Sequence, residues 1–202
     1  DPFVKRSKAE GYRARSAYKL LELNEKEKLF RPGITVVDLG SAPGSWTQVA
    51  RSKMVNVAGK FSGHLVAMDI LPMEPVPDAV FLQGDFREQE VADQLSALLA
   101  DGKVDVVLSD MAPNLSGIPA VDAAASLLLN ELALEFALEH LCENGVLVVK
   151  AFQGSGYSQF IETVKRHFKS VAQRKPEASR DTSPEMYLSL IHISEPTRPE
   201  PI

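Results

Sequence analysis

Five apolar runs in this chain break off, on their C-terminal side, at a residue that can carry charge or bend the backbone. They are Thr35 to Leu39, which holds Asp38 and precedes Gly40, then Leu65 to Asp69, Val80 to Asp85, Val104 to Asp110, and Val146 to Lys150. In an open parallel sheet covered by helices, ligands bind outside the carboxyl ends of the strands. The spacing therefore aims four carboxylates (Asp38, Asp69, Asp85 and Asp110) and one amine (Lys150) at a single crevice. Carboxylates can neutralise a cation or accept hydroxyl hydrogens. A lysine, when neutral, can accept a proton, provided that desolvation or a second cation lowers its pKa. The four histidines, His64, His140, His167 and His192, sit at no strand end, so an imidazole base is disfavoured. The chain reads as an enzyme with a lysine at its reacting centre.

The turn Asp38-Leu39-Gly40-Ser41-Ala42-Pro43-Gly44-Ser45-Trp46 joins the first strand to a helix. A dinucleotide fingerprint needs G-x-G-x-x-G, but counting from Gly40 the second and third positions hold Ala42 and Ser45, which serves a pyrophosphate poorly. S-adenosylmethionine carries a sulfonium cation and no phosphate, so Asp38 and Asp85 would attract it. Asp69, at the end of the second strand, occupies the place of an acid that takes ribose hydroxyls. Asp85, after the third, can meet the adenine amino group. The ordered set Gly40, Gly44, Asp69, Asp85 and Asp110 is far more specific than the glycine turn alone.

These groups need elements to hold them. Apolar spacing predicts helices over Ser16 to Leu29, Ser45 to Met54, Glu88 to Leu99, Asp122 to Leu141 and Tyr157 to Phe168, with further strands near Val171 to Arg174 and Glu185 to Leu190. Lys19 lies on the first of these helices and would be the second cation if that helix folds over the strand ends. Glu185, at the start of the last strand, can orient either ammonium. The alternation of strands and helices implies an α/β domain over residues 1–190, with about seven mostly parallel strands and helices on both faces. Residues 1–31 form its basic helical N-terminal segment. Residues 191–202 lose periodicity, carry three prolines, and are expected to lie outside the fold as a disordered or foreign tail. Cys142 is placed in an apolar helical run as a structural thiol without chemistry.

The formal net charge of -5 hides a division. Residues 1–31 hold nine bases and five acids, residues 150–180 hold seven bases and two acids, and the middle is acidic. If both ends share a surface, that surface suits a polyanion, with Arg6, Lys8, Arg13, Arg15, Arg174, Lys175 and Arg180 gripping phosphates. No apolar stretch approaches a membrane span and no leader opens the chain, so a soluble, monomeric, cytoplasmic protein is expected. No set of residues suggests a metal.

Beyond the individual residues, Gly11-Tyr12-Arg13-Ala14-Arg15-Ser16-Ala17-Tyr18-Lys19-Leu20, the turn Asp38 to Trp46, Gln83-Gly84-Asp85-Phe86, Ser109-Asp110-Met111-Ala112-Pro113-Asn114 and Val148-Val149-Lys150-Ala151-Phe152-Gln153-Gly154 closely resemble the FtsJ/RrmJ family of ribosomal RNA ribose 2'-O-methyltransferases. The resemblance spans residues 1 to about 188. It implies a Rossmann-like class I fold, S-adenosyl-L-methionine as cofactor, and a uridine in large-subunit rRNA as substrate. It also implies a catalytic tetrad of Lys19, Asp110, Lys150 and Glu185, with cofactor contacts at Gly44, Trp46, Asp69, Asp85 and Asp110. Bacterial members commonly show Gly-Gly-Trp where this chain has Gly44-Ser45-Trp46, a change that leaves the turn feasible. The family's final strand continues in apolar residues past Leu188, whereas here Ser189 follows. Two alternatives stand beside this reading. A base N-methyltransferase would need an aromatic after the Asp110 loop's proline to stack a base, and none is there. A noncatalytic RNA-binding assembly factor would not need the tetrad.

Overall fold

The computed structural model describes residues 1–99 and 102–193. Its elements are α1 (Pro2–Glu10), α2 (Ala17–Glu27), β1 (Thr35–Leu39), α3 (Ser45–Lys53), β2 (His64–Asp69), β3 (Ala79–Gln83), α4 (Gln89–Leu98), β4 (Val104–Ser109), α5 (Pro119–His140), β5 (Leu141–Phe152), α6 (Tyr157–His167), β6 (Phe168–Arg174) and β7 (Glu185–His192). All seven strands form one sheet in the order β3-β2-β1-β4-β5-β7-β6. The five strands from β3 to β5 are mutually parallel, and β7 enters antiparallel between β5 and β6. Strand order reverses between β1 and β4, and in such sheets the reversal opens the ligand crevice.

Side-chain alternation sorts the core into two layers. Val36, Leu65, Val106, Leu108, Val148 and Tyr187 pack with Ala17, Leu20 and Leu23 of α2 and Trp46, Val49 and Ala50 of α3. Their neighbours Val37, Leu39, Val66, Val107, Leu147, Val149 and Leu188 pack with α4, α5 and α6 on the other face. The same parity fixes where the polar residues go. Asp38, Asp110, Lys150, Glu185 and Tyr187 all fall on the α2/α3 face. Lys150 pairs with Tyr187 across the β5/β7 ladder, and Ser109, just before Asp110, pairs with Val149, just before Lys150.

The N-terminal basic segment holds two helices. α1 is capped by the Asp1 carboxylate, which accepts from Phe3 N at 2.9 Å, and it stops at Gly11 in the left-handed region (φ 82°). Two expectations need correction. Helix α5 ends at His140, so Cys142 lies at the start of β5 rather than in a helix, half-buried with Sγ 3.6 Å from Asp105 Oδ1. The last strand does not stop at Leu190: Ile191 pairs with both Val146 and Ser170, and His192 pairs with Phe168. The partners that β5 and β6 offer on each side hold these residues in the ladder although their own sequence has lost its pattern. The rest of the tail, residues 194–202, lies outside the described residues. Among the described residues no helix is long and apolar enough to cross a membrane, and no group of His, Cys, Asp and Glu could hold a metal ion.

Candidate active site

Two ion pairs meet at the strand ends beside the β1/β4 reversal. Lys150 Nζ lies 3.3 Å from Asp110 Oδ1, with side chains 11% and 19% exposed. Lys19 Nζ donates to Glu185 Oε1 at 2.7 Å, with exposures of 12% and 9%. Lys19 reaches the strand ends because α2 lies across them, anchored by Leu20 and Leu23 in the core. Tyr187 stands between the pairs. Its hydroxyl donates to Asp110 Oδ1 at 3.0 Å, and Lys19 Nζ is 5.9 Å from its ring centroid. Burial pushes the Tyr187 phenol well above its ordinary value, with the Asp110 and Glu185 charges adding to the effect, so it acts as a donor. Burial also raises the Glu185 carboxyl, but hydrogen bonds from Lys19 and Ser179 and the charge of Lys150 outweigh that and hold it below its ordinary value. Ser179 Oγ donates to Glu185 at 2.7 Å. Sequence reasoning missed both Tyr187 and Ser179. The period-2 register from Glu185 was the available signal for Tyr187, whereas Ser179 sits in a loop and had none.

The carboxylates of the other half are held differently. Asp38 is wholly buried under α3. Thr47 Oγ1 donates to its Oδ2 at 2.7 Å, and its Oδ1 has no partner among the described residues. Desolvation pushes Asp38 up to about 7, with the Thr47 bond opposing and the charges of Asp110 and Asp69 reinforcing. Asp69 accepts from Ala42 N at 2.8 Å and Leu71 N at 2.9 Å, tying the turn after β1 to the loop after β2. Arg87 donates to both oxygens of Asp85 and holds its carboxyl below the usual range. Each of those oxygens keeps acceptor capacity.

Both glycines of the turn have left-handed backbones, with φ 76° at Gly40 and 115° at Gly44. A Cβ at Gly40 would stand 2.8 Å from Met111 Cγ, and one at Gly44 would stand 2.7 Å from Arg13 Nη1. Their smallness is thus used by the protein itself, to let the β4 loop and the N-terminal segment close over the turn. Trp46 is in the core, 2% exposed, with its indole N–H donating to Ser16 O at 2.9 Å. Trp46 therefore presents almost no surface to a ligand, although it stands in the first turn of a helix whose N-terminus has no side-chain cap.

The seven bases expected to grip phosphates do not form one free set. Arg13 donates to three backbone carbonyls, and Lys175 to those of Ser183 and Glu185. Arg15 donates to Ala178 O, and Arg174 pairs with Glu27 at 3.0 Å. Arg6 pairs with Glu10 and Arg180 with Asp1, yet both stay more than half exposed, and Lys8 is exposed. Arg6, Lys8 and Arg180 are the members of the set left open to a polyanion.

A sheet of this order, with an acidic cleft at its reversal and a lysine beside it, defines a Rossmann-like methyltransferase fold. Comparison with known proteins agrees. The model of the FtsJ-like methyltransferase family matches residues 12–192, and the chain belongs to that family. It is 56% identical over 196 residues to the ribosomal RNA large subunit methyltransferase E of Ralstonia nicotianae, covering 93% of this chain and 89% of that protein. The protein of the same name from Bordetella pertussis is 55% identical over 188 residues, covering 93% and 90%. Among solved structures, one described as a ribosomal RNA methyltransferase of Plasmodium falciparum superposes with a TM-score of 0.78 at 29% identity, covering 90% of this chain and 98% of that one.

Proposed function

We propose that this enzyme transfers a methyl group from S-adenosylmethionine to the 2'-hydroxyl of a uridine ribose in large-subunit ribosomal RNA. The observation that carries the reading is the convergence of Lys150, Asp110, Lys19 and Glu185 on one sheet face at the crevice. The relatives named for large-subunit rRNA point the same way. The cleft suits the cofactor: the carboxylates of Asp69 and Asp85 give negative charge and acceptors, and the unpartnered buried oxygen of Asp38 lies behind them. When bound, S-adenosylmethionine supplies the electrophilic methyl group.

The chain's own residues then act on the sugar. Once its ammonium has given its own proton to solvent, Lys150 Nζ accepts the proton of the 2'-hydroxyl as the oxygen attacks, and Asp110 at 3.3 Å meets the ammonium that forms again. Lys19, held by Glu185, sits beside this centre as a fixed positive charge able to draw in a phosphate or the developing alkoxide. Most of the rate comes from holding two reactants in line. Arg6, Lys8 and Arg180 contribute phosphate contacts, which makes binding salt-sensitive without reading bases.

Large ribosomal subunits lacking the modification, incubated with the enzyme and methyl-tritiated cofactor, should gain label that digestion places on a ribose. Label on a base would replace this reading with N-methylation. An enzyme that binds no cofactor would point to an assembly factor instead.

A further inference from the structure

Arg13 belongs to the run of N-terminal bases, and its charge alone suggests phosphate binding. The structure gives it other work. Segment 11–16 crosses the N-terminal turn of α3 and is pinned there four times. Arg13 N donates to Gln48 Oε1 at 2.9 Å, Gln48 Nε2 to Gly11 O at 3.1 Å, Trp46 Nε1 to Ser16 O at 2.9 Å, and the Ser16 and Ser45 hydroxyls lie 2.7 Å apart. From this crossing the Arg13 side chain lies over Gly44, in the space that a Cβ would occupy, beside Met73 Sδ. Its guanidinium joins two segments. Nη1 donates to Pro43 O at 3.0 Å in the turn after β1 and to Glu74 O at 2.5 Å in the loop after β2, while Nη2 donates to Pro75 O at 2.7 Å.

The same two segments are also joined by Asp69, which accepts the N–H groups of Ala42 and Leu71. Arg13 supplies the matching donors for carbonyls. The loop carries Pro72, Pro75 and Pro77, which provide no N–H and keep it out of regular structure, so its carbonyls need donors from elsewhere. A planar five-donor fork can satisfy three carbonyls at once, and an ammonium is a poorer match for that spread.

We propose that Arg13 is a positioning residue for the cofactor: it fastens the turn after β1 to the loop after β2, completing with Asp69 the wall of the S-adenosylmethionine cleft, and it is not a phosphate contact. This rests on the reading that the cleft takes S-adenosylmethionine. It also means that the N-terminal segment, whose neighbouring bases Arg6 and Lys8 face the polyanion, is mechanically joined to the cofactor cleft through one side chain.

The test compares the full chain with Arg13→Ala and Arg13→Lys. Calorimetric titration with S-adenosylmethionine should show affinity about tenfold weaker in Arg13→Ala, as expected for the loss of charge-assisted hydrogen bonds, with Arg13→Lys in between. Turnover at saturating cofactor should stay within about threefold, because the reacting groups are untouched. The slope of log RNA affinity against log salt should not change, whereas losing a phosphate contact would reduce it by about one. In the cofactor-free protein, amides of residues 70–78 should exchange faster in Arg13→Ala. Unchanged cofactor affinity with a shallower salt slope would overturn the proposal, as would complete rescue by Arg13→Lys. If Arg13→Ala does not fold, Arg13→Lys decides by the same readouts. An unmodified enzyme that binds no S-adenosylmethionine would sink the cofactor reading, while amide exchange would still decide whether Arg13 fastens the loop.

Discussion

The two halves of the crevice solve the problem of buried charge in opposite ways. On the β4, β5 and β7 side each carboxylate has an amine, Asp110 with Lys150 and Glu185 with Lys19, so the cluster is neutral within itself. On the β1 and β2 side Asp38 and Asp69 have, among the described residues, no cation, only a threonine hydroxyl and two backbone N–H groups. Internally paired charge can be buried without a partner from outside, whereas uncompensated negative charge is costly until a cation arrives. Under the proposed function the first half moves a proton and the second receives a positive ligand. Each half can be tested by removing the feature that the other lacks.

The largest effect falls on the paired side. Lys150→Ala removes the proposed proton acceptor and leaves Asp110 with the Tyr187 hydroxyl. Methyl transfer should fall on the order of a hundredfold to ten-thousandfold, the usual contribution of a positioned base. Cofactor affinity should stay close to that of the unmodified enzyme, since the other half is untouched. Activity that survives, or cofactor affinity that falls in parallel, would dissolve the division between the halves.

The unpaired side should reveal itself in pH dependence. Asp38 is raised to about 7 in the folded protein and titrates near 3.8 when exposed. Between these values the folded state holds a proton that the unfolded chain has released, so stability falls as pH rises through this window and levels off above it. Asp38→Asn cannot titrate. Chemical denaturation of both proteins at pH 4.5 and pH 8 cancels the other groups, and the stability difference should move toward the variant by on the order of 3 kcal/mol across that range. A difference that does not vary with pH would mean that Asp38 is charged without penalty, and the contrast between the halves would lose its electrostatic basis.

How far this arrangement was legible in the sequence depended on the kind of signal. Strand ends were readable because a run such as Val104 to Leu108 followed by Asp110 marks both the strand and its polar exit, and parity then placed Asp110 and Lys150 on one face. The seven strands followed from alternation, but the placement of β7 between β5 and β6 is a matter of tertiary pairing. That pairing is also what carried the strand on to His192. The basic residues were least legible. Charge counts cannot distinguish Lys8, which is exposed, from Arg174, whose Nε is 3.0 Å from Glu27, a residue far away in sequence. The charge of Arg13 suggests phosphate, whereas its side chain donates to carbonyls 61 and 62 residues away that no local pattern reveals.

The smallest effect sharpens the comparison most, because it concerns the side chain that stands between the two ion pairs. Tyr187 is fully buried and donates to the same Asp110 oxygen that meets Lys150. Tyr187→Phe keeps the ring packed against Trp46, whose centroid is 5.7 Å away, and leaves no donor stranded. Asp110 keeps Lys150 as a partner, so stability should fall by about 1 kcal/mol, the net worth of one hydrogen bond. Turnover should drop only about threefold to tenfold, with cofactor affinity unchanged, because the phenol orients Asp110 and does not itself take the proton. A loss as large as that of Lys150→Ala would make the phenol part of the proton path. The paired half would then be a three-membered relay rather than two ion pairs joined by a donor.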